Sequence, residues 1–514
     1  MRSVHALPLS ITIYSAVTYA KKFIPLFILS IAALLNARAA DESGPSQNPD
    51  LHAGLASAGP PTHVLFISVD DLRPEMNAYG VDGLVTPNLD RLAREGTVFN
   101  RAYCQFAVCG PSRASLMSGL RPTQTRFIID RAQPGVESDA PGTLTLSRLF
   151  KQHGYRVEAL GKIYHDLRDD LEGWTAPVWS SPHPHNRYLV PENQAALEAH
   201  GRYGPSFEAA DVPDDAYPDG QIAREAVSRI ELAAELGEPL FLAVGFWRPH
   251  LPFNAPQRYW DYYPEESVAL PDNMFDPEGI PGIAMHNHPE LRLYTDIPKG
   301  NAPIPDDLAR TLIRGYRASV SYTDAQIGLL LDALDRTGLK DQTIILLWGD
   351  HGWHLGDNNL WGKESLFEHA LRVPLIVVDP RIPGGHRTDA LVELVDVYPT
   401  LAELAGLPLP DHLEGTSMAP LLRAPDAPWK EAVFSCFIRP DRNKSGWTVR
   451  DDRYRYAEWN DAQGDRLQRV LFDLHRDPLE NRNLAGDPES QPVIERMHRL
   501  LHGGWQPHQR SLVP

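Results

Sequence analysis

The chain has 514 residues, 42% hydrophobic and 9% aromatic, enough for a large buried core and more than one domain. A formal net charge of −18 excludes nonspecific nucleic-acid binding by the molecule as a whole, though not a cationic pocket within it. The 46 prolines point to long, stiff loops, where sites tend to be built.

Residues 1–39 read as an export signal. Lys21-Lys22 precede FIPLFILSIAALL, an apolar run too short for a stable membrane span, and NARAA offers Ala37 and Ala39 for cleavage. Retention as an anchor is the alternative. Residues 40–61 are polar, small and proline-bearing, and read as a linker. The expectation is an exported protein, in a periplasmic, extracellular or lysosome-like compartment, with no stable span after cleavage. Cys104, Cys109 and Cys436 make an odd number, so at least one thiol lacks an intramolecular partner. No CxxC or Cys/His pairing suggests a structural zinc.

From residue 62 strands and helices alternate. HVLFISVDD is a continuous apolar run ending in two aspartates, which suits a strand buried on both faces. TPNLDRLAREG reads as a helix with a glycine stop, TLTLSRLFKQHG as a helix and YRVEALGKIY as a strand. DGQIAREAVSRIELAAELG precedes the strand PLFLAVGFW, and a long helix beginning DDLARTLIRGYRASVS leads into TIILLWGD; VPLIVVDP is a further strand. This alternation predicts an α/β domain over 62–424, with a large mixed or parallel sheet flanked by helices. Beyond it AVFSCFI, GWTVRDDRYRYAEWN and RVLFDLHRDP read as antiparallel strands, and QPVIERMHRLLHGG as a closing helix. A smaller C-terminal α+β subdomain is expected over 425–514.

In open α/β sheets ligands bind beyond the carboxyl ends of the strands. Those ends deliver Asp70 and Asp71, then Lys162 and His165, then Arg248 and His250, then Asp350, His351 and His354, with Lys363 shortly after. Taken singly, each has a plain reading: a turn-forming aspartate, a solvated charge, a hydrogen-bonded histidine. Their repetition at one sheet edge favours a site. Three converging aspartates repel one another unless a cation sits between them, and carboxylate oxygens favour Ca²⁺ or Mg²⁺. The lysines and histidines would then face an anionic substrate. Cys109 precedes Pro111 at the head of a helix, where an anion is favoured, and Arg113 lies one turn in.

These residues carry a resemblance. CGPSRASLMSGLRP is similar to the signature of the type I, formylglycine-dependent sulfatases, with Cys109, Pro111, Ser112, Arg113, Leu116, Gly119 and Arg121 at matching positions and Ser118 where Thr is common. The resemblance runs from about residue 62 to 485 and takes in VDDLRP, GKIYH, FWRPH, SYTDAQIG, GDHGWHLGD and LFDLHRDPLENRNL. DDLRP, RPHLPF, DHGWHLG and DDRYRYAEW look most like the iduronate-2-sulfatase branch.

The resemblance implies an alkaline-phosphatase-like fold and hydrolysis of sulfate esters on a sulfated polysaccharide or oligosaccharide. It implies that a maturation enzyme converts Cys109 to Cα-formylglycine, whose hydrate is a geminal diol. One hydroxyl attacks sulfur and the second later expels sulfate, an exit that a thiol lacks. It further implies one Ca²⁺ held by Asp70, Asp71, Asp350, His351 and the modified Cys109. Arg113 would hold the diol, Lys162 and Lys363 would neutralise sulfate, His250 would protonate the leaving oxygen, and His165 would orient the diol. Arg439 and Lys444, in FIRPDRNKSGW, are candidates for binding a substrate carboxylate; a solvated loop is the plain reading. Two alternatives stay open: a phosphate or phosphonate ester hydrolase of the same fold, and a non-catalytic sulfated-glycan-binding paralogue.

Overall fold

HVLFISV is apolar throughout because both faces of its strand are covered. Val64 and Phe66 pack into one core with Phe241, Ala243, Ile344 and Leu346, while Leu65 and Ile67 pack into another with Leu242, Val244, Ile345 and Leu347. This is the period-2 alternation of a strand with an apolar layer on either side. The structure is a computed structural model that describes residues 62–128, 136–439, 444–460 and 467–504. The expected signal and linker lie outside the described residues.

Eight strands form the main sheet: β1 (His63–Val69), β2 (Thr97–Tyr103), β3 (Arg156–Gly161), β4 (Leu240–Phe246), β5 (Thr343–Gly349), β6 (Arg372–Val373), β7 (Leu375–Val378) and β8 (His386–Glu393). Strands β3, β4, β1 and β5 are parallel neighbours in that order. Strand β7 runs antiparallel between β5 and β2, and β8 is parallel to β2. The sheet is therefore mixed, with its parallel strands ending at one edge.

The helices Pro218–Leu236 and Asp306–Thr337 cover one face. On the other lie Cys109–Ser118, Leu146–Gln152 and Val397–Leu404, and the same core continues into a second, antiparallel sheet. That sheet runs β9 (Val433–Arg439), β10 (Lys444–Arg450), β11 (Tyr454–Asn460) and β12 (Gln468–Asp473), closed by the helix Gln491–Gly504. The stretch GWTVRDDRYRYAEWN thus holds parts of two strands, because Asp451 turns the chain by accepting from the backbone N–H groups of Arg453 and Tyr454. All three cysteines are buried free thiols. Among the described residues no helix is long and apolar enough to cross a membrane.

Candidate active site

Four parallel strands end on the polar residues that the sequence singles out. Asp70 and Asp71 follow β1, Lys162 follows β3, His250 lies past β4, and Asp350 and His351 follow β5. Strands β3 and β4 approach so closely that a Cβ on Gly245 would stand 2.1 Å from the Lys162 carbonyl oxygen. Asp71 adopts a left-handed backbone, φ 60°, which aspartate tolerates better than most residues. Two bonds hold it there: its N–H donates to Asp350 Oδ1 at 3.0 Å, and its carbonyl accepts from Tyr316 at 2.8 Å.

Cys109 opens the helix Cys109–Ser118, all ten residues of which are buried. No side chain caps its N-terminus, so its first N–H groups are left for an anion. Gly119 ends the helix at φ 70°, where a Cβ would come 2.3 Å from Leu413. Cys109 Sγ lies 3.2 Å from His351 Nε2 and 3.3 Å from Lys363 Nζ. Burial, and then the charge of Asp70, push its thiol well above the usual range. An unmodified thiolate is therefore disfavoured at this position.

Arg113 builds the scaffold beneath. Its guanidinium donates to Asp350 Oδ2 at 2.8 Å, Ser68 Oγ at 3.1 Å and the Ile163 carbonyl at 3.1 Å, and lies 3.4 Å from Asp70 Oδ1. Lys162 pairs with Asp70, and Lys363 Nζ donates to Asp71 Oδ1 at 2.9 Å. Burial opposes ionisation of Asp70, but Lys162, His250 and Arg113 outweigh it and hold the carboxyl well below the usual range. Asp71 is instead raised, by burial.

The histidines are distinguished by their partners. His250 faces acceptors with both ring nitrogens: Nδ1 is 2.7 Å from the Leu251 carbonyl and Nε2 is 3.0 Å from Glu290 Oε1. Only the imidazolium satisfies both. Burial works against that charge, and Asp71 and Glu290 override it, so its pKa is raised. His165 behaves oppositely: burial and then Lys162 push it down to about 3, leaving it neutral. His351 Nδ1 lies 3.0 Å from the Gly352 carbonyl, which turns Nε2 towards Asp71 Oδ1 at 3.3 Å and Asp350 Oδ2 at 3.6 Å.

The donor set fits a hard cation. Ligand atoms of Asp70, Cys109, Asp350 and His351 lie within 4.8 Å of one another, as do those of Asp70, Asp71, Cys109 and His250. Asp71 Oδ2 is buried and, among the described residues, has no hydrogen-bond partner. A fully buried carboxylate oxygen left in that state calls for a positive charge.

Glu290 was not legible as a site residue. It bridges His250 and Lys363, the latter at 3.1 Å, from a loop that follows no strand. Trp247 was likewise missed; its ring lies 4.8 Å below Lys162 Nζ and stacks on His185. The expected substrate-binding pair lies in and around the small sheet. Arg439 stands 3.5 Å from Glu364, the neighbour of Lys363, while Lys444 donates to the Met285 carbonyl at 3.2 Å and lies over the Trp459 ring. Arg442, a third basic residue of the FIRPDRNKSGW stretch, lies outside the described residues.

Comparison with known proteins settles the family. Residues 62–407 match the family described as Sulfatase, and residues 349–505 match N-sulphoglucosamine sulphohydrolase, C-terminal. The chain belongs to the sulfatase family. It is 31% identical to the iduronate 2-sulfatase of Mus musculus, over 86% of this chain and 94% of that protein. This sulfatase, a sulfuric ester hydrolase of iduronate-2-sulfatase-like type, also has the fold that the sequence implied. A solved complex of a protein with its substrate D-glucosamine-2-N,6-O-disulfate superposes with a TM-score of 0.68 at 22% identity, covering 86% of this chain and 97% of that one. The phosphonate monoester hydrolase of Agrobacterium radiobacter gives 0.70 at 24% identity, covering 86% and 94%. The alkaline-phosphatase-like fold by itself therefore does not separate sulfate from phosphonate chemistry.

Proposed function

We propose that this sulfatase removes sulfate from a sulfated carbohydrate, with Cys109 as the precursor of a formylglycine nucleophile and Asp70, Asp71, Asp350 and His351 as ligands of Ca²⁺. The observation that carries the reading is the meeting of a complete maturation motif with three carboxylates, two lysines and an imidazolium around one buried sulfur atom. Formylglycine would supply a geminal diol able both to attack sulfur and to release sulfate. Ca²⁺ would supply a Lewis acid for a sulfate oxygen.

The chain's own groups do the rest. Lys363, beside Cys109, would face the sulfate and offset the charge that grows on its oxygens; Lys162 would lend charge from its place beside Asp70. His250 holds a proton on Nε2, between Glu290 and Asp71, and would pass it to the departing sugar oxygen. Neutral His165 offers one ring N–H donor and one acceptor nitrogen and resists taking up a second proton, which suits orienting the nucleophile. Arg113 acts as a positioning residue, fixing Asp350 and Asp70. Arg439, tied to Glu364 beside Lys363, would offer a substrate carboxylate a cation from the end of β9, and Lys444 pairs with it across the sheet from the start of β10. Cys109 is 2% exposed within a wholly buried helix, so a maturation enzyme would read the motif before the chain folds. The reading includes export of the protein, to meet its glycan.

The test has two parts. The Cys109 peptide should show the mass of an aldehyde in place of the CH₂SH group. The purified protein should turn over an aryl sulfate in preference to an aryl phosphate or phosphonate. Unmodified Cys109 in active protein refutes the nucleophile; preferential phosphonate turnover refutes the substrate class.

A further inference from the structure

The closing helix Gln491–Gly504 carries His498 and His502 one turn apart, on the same side. Its apolar residues Ile494, Met497 and Leu501 are buried, which sets the two imidazoles at the border of that face, 44% and 50% exposed. Below them β11 presents Glu458, whose side chain is only 6% exposed. Its Oε1 lies 2.6 Å from His498 Nδ1 and its Oε2 2.9 Å from His502 Nε2. The two rings stand 4.3 Å apart between centroids, and ligand atoms of all three residues fall within 4.8 Å of one another. Tyr456, two residues earlier on the same face of β11, donates its hydroxyl to Glu458 Oε1 at 2.6 Å.

Hydrogen bonding explains part of this. Burial opposes ionisation of Glu458, and bonds from His502, Tyr456 and His498 reverse that effect, holding the carboxyl at about 2. One histidine with Tyr456 would suffice for that purpose. Two histidines at i and i+4, each aiming a ring nitrogen at a different oxygen of one carboxylate, are a donor set for a borderline divalent metal. The set differs in kind from the carboxylate-rich cluster around Cys109, which suits a hard cation. It also leaves a fourth position open to solvent, since both imidazoles are half exposed.

We propose that Glu458, His498 and His502 form a second metal site, separate from the active site, that takes Zn²⁺ or a similar transition-metal dication. Ligands of tetrahedral zinc stand roughly 3.4 Å apart, from bond lengths near 2.1 Å. From 2.6 Å and 2.9 Å, His498 must therefore withdraw from the carboxylate by about 0.8 Å and His502 by about 0.5 Å, which half-exposed side chains on a helix surface can do. Tyr456 fixes the carboxylate in the manner of an outer-shell partner. Binding would join the helix Gln491–Gly504 to the strand beneath it.

The test uses the calcium-loaded protein, titrated with zinc chloride by calorimetry and with cobalt chloride by visible absorption. One zinc equivalent is expected whose affinity falls by about tenfold or more in His498→Ala, His502→Ala and Glu458→Gln, as loss of a ligand requires. Cobalt should give the intense bands of a four-coordinate site in the native protein and lose them in His502→Ala. Hydrolysis of an aryl sulfate should be unchanged in the histidine variants, because neither residue touches the active site. Glu458→Gln also weakens the helix contact, so the two histidine variants, checked by circular dichroism, decide the question. Native zinc affinity retained in both histidine variants, or no zinc bound at millimolar concentration, overturns the proposal and leaves a hydrogen-bonded staple.

Discussion

Gly245 gives the most direct test of how the sheet positions the site. A methyl group there would meet the Lys162 carbonyl oxygen at 2.1 Å, its carbon at 2.3 Å and its nitrogen at 2.8 Å, where ordinary contact begins near 3.4 Å. All three are backbone atoms, so no rotamer change relieves the clash. Strands β3 and β4 must separate by about 1.3 Å at this point, and Lys162 moves with them. The same carbonyl accepts from Ser68 Oγ at 3.0 Å and from Arg113, so the movement reaches the Arg113 scaffold of Asp350 and Asp70. A misplacement of about 1 Å costs on the order of 10²-fold in rate, and overpacking of this kind about 1–3 kcal/mol of stability. Gly245→Ala should therefore lose roughly 10²-fold in kcat/KM on an aryl sulfate, with a lowered melting temperature. Gly282→Ala, where nothing lies within 4 Å of the added carbon, serves as the control and should change neither quantity. Wild-type kcat/KM in Gly245→Ala, whatever its melting temperature, would refute the coupling between strand spacing and site geometry.

Three further outcomes follow from the site. Glu290→Gln removes one of the three carboxylates, with Asp71 and Asp70, that raise His250 against burial; the acid must be protonated to work, so a lower pKa moves the alkaline limb of the kcat/KM profile to lower pH, and an unmoved limb removes His250 as the acid. Asp71→Ala should lose bound calcium and activity together, by on the order of 10³-fold, and stoichiometric calcium in that variant, measured by elemental analysis, would exclude Asp71 as a ligand. Arg439→Ala should raise KM for a sulfated uronate oligosaccharide about tenfold and leave aryl sulfate hydrolysis nearly unchanged; equal effects on both substrates would place Arg439 in folding instead.

What the sequence revealed, and what it withheld, divides along the range of the interactions. Asp70, Asp71, Lys162, His250, Asp350 and His351 were legible because each follows a strand whose apolar run marks its own end, and parallel strands bring their ends to one edge. Strands β2 and β8 were less visible: TVFNRAY and HRTDALVE mix charge into the pattern because parts of them are not covered on both faces. Glu290 shows the limit. It lies in a loop after HNHP, where nothing periodic announces it, and only tertiary packing sets its carboxylate against His250 and Lys363. Arg113 is an intermediate case. Its place one turn after Cys109 could be read from spacing, but its commitment to Asp350 and Asp70 depends on how the buried helix meets β1 and β5.

The closing helix makes the same point from the other direction. The i, i+4 histidine pair in MHRLLHGG is visible in the sequence, yet by itself it reads as two polar positions on an amphipathic helix. Its meaning depends on Glu458, separated from His498 by 40 residues and held on a strand whose face is fixed by the sheet register. A one-residue slip of β11 would turn Glu458 and Tyr456 to the opposite face and put Trp459, now buried beneath Lys444, under the histidines. The carboxylate is there because the alternation of YRYAEWN assigns Tyr456 and Glu458 to one face and Ala457 and Trp459 to the other. The proposed metal site is thus a consequence of strand register, and a variant that loses zinc without losing either histidine should be sought among changes to that strand.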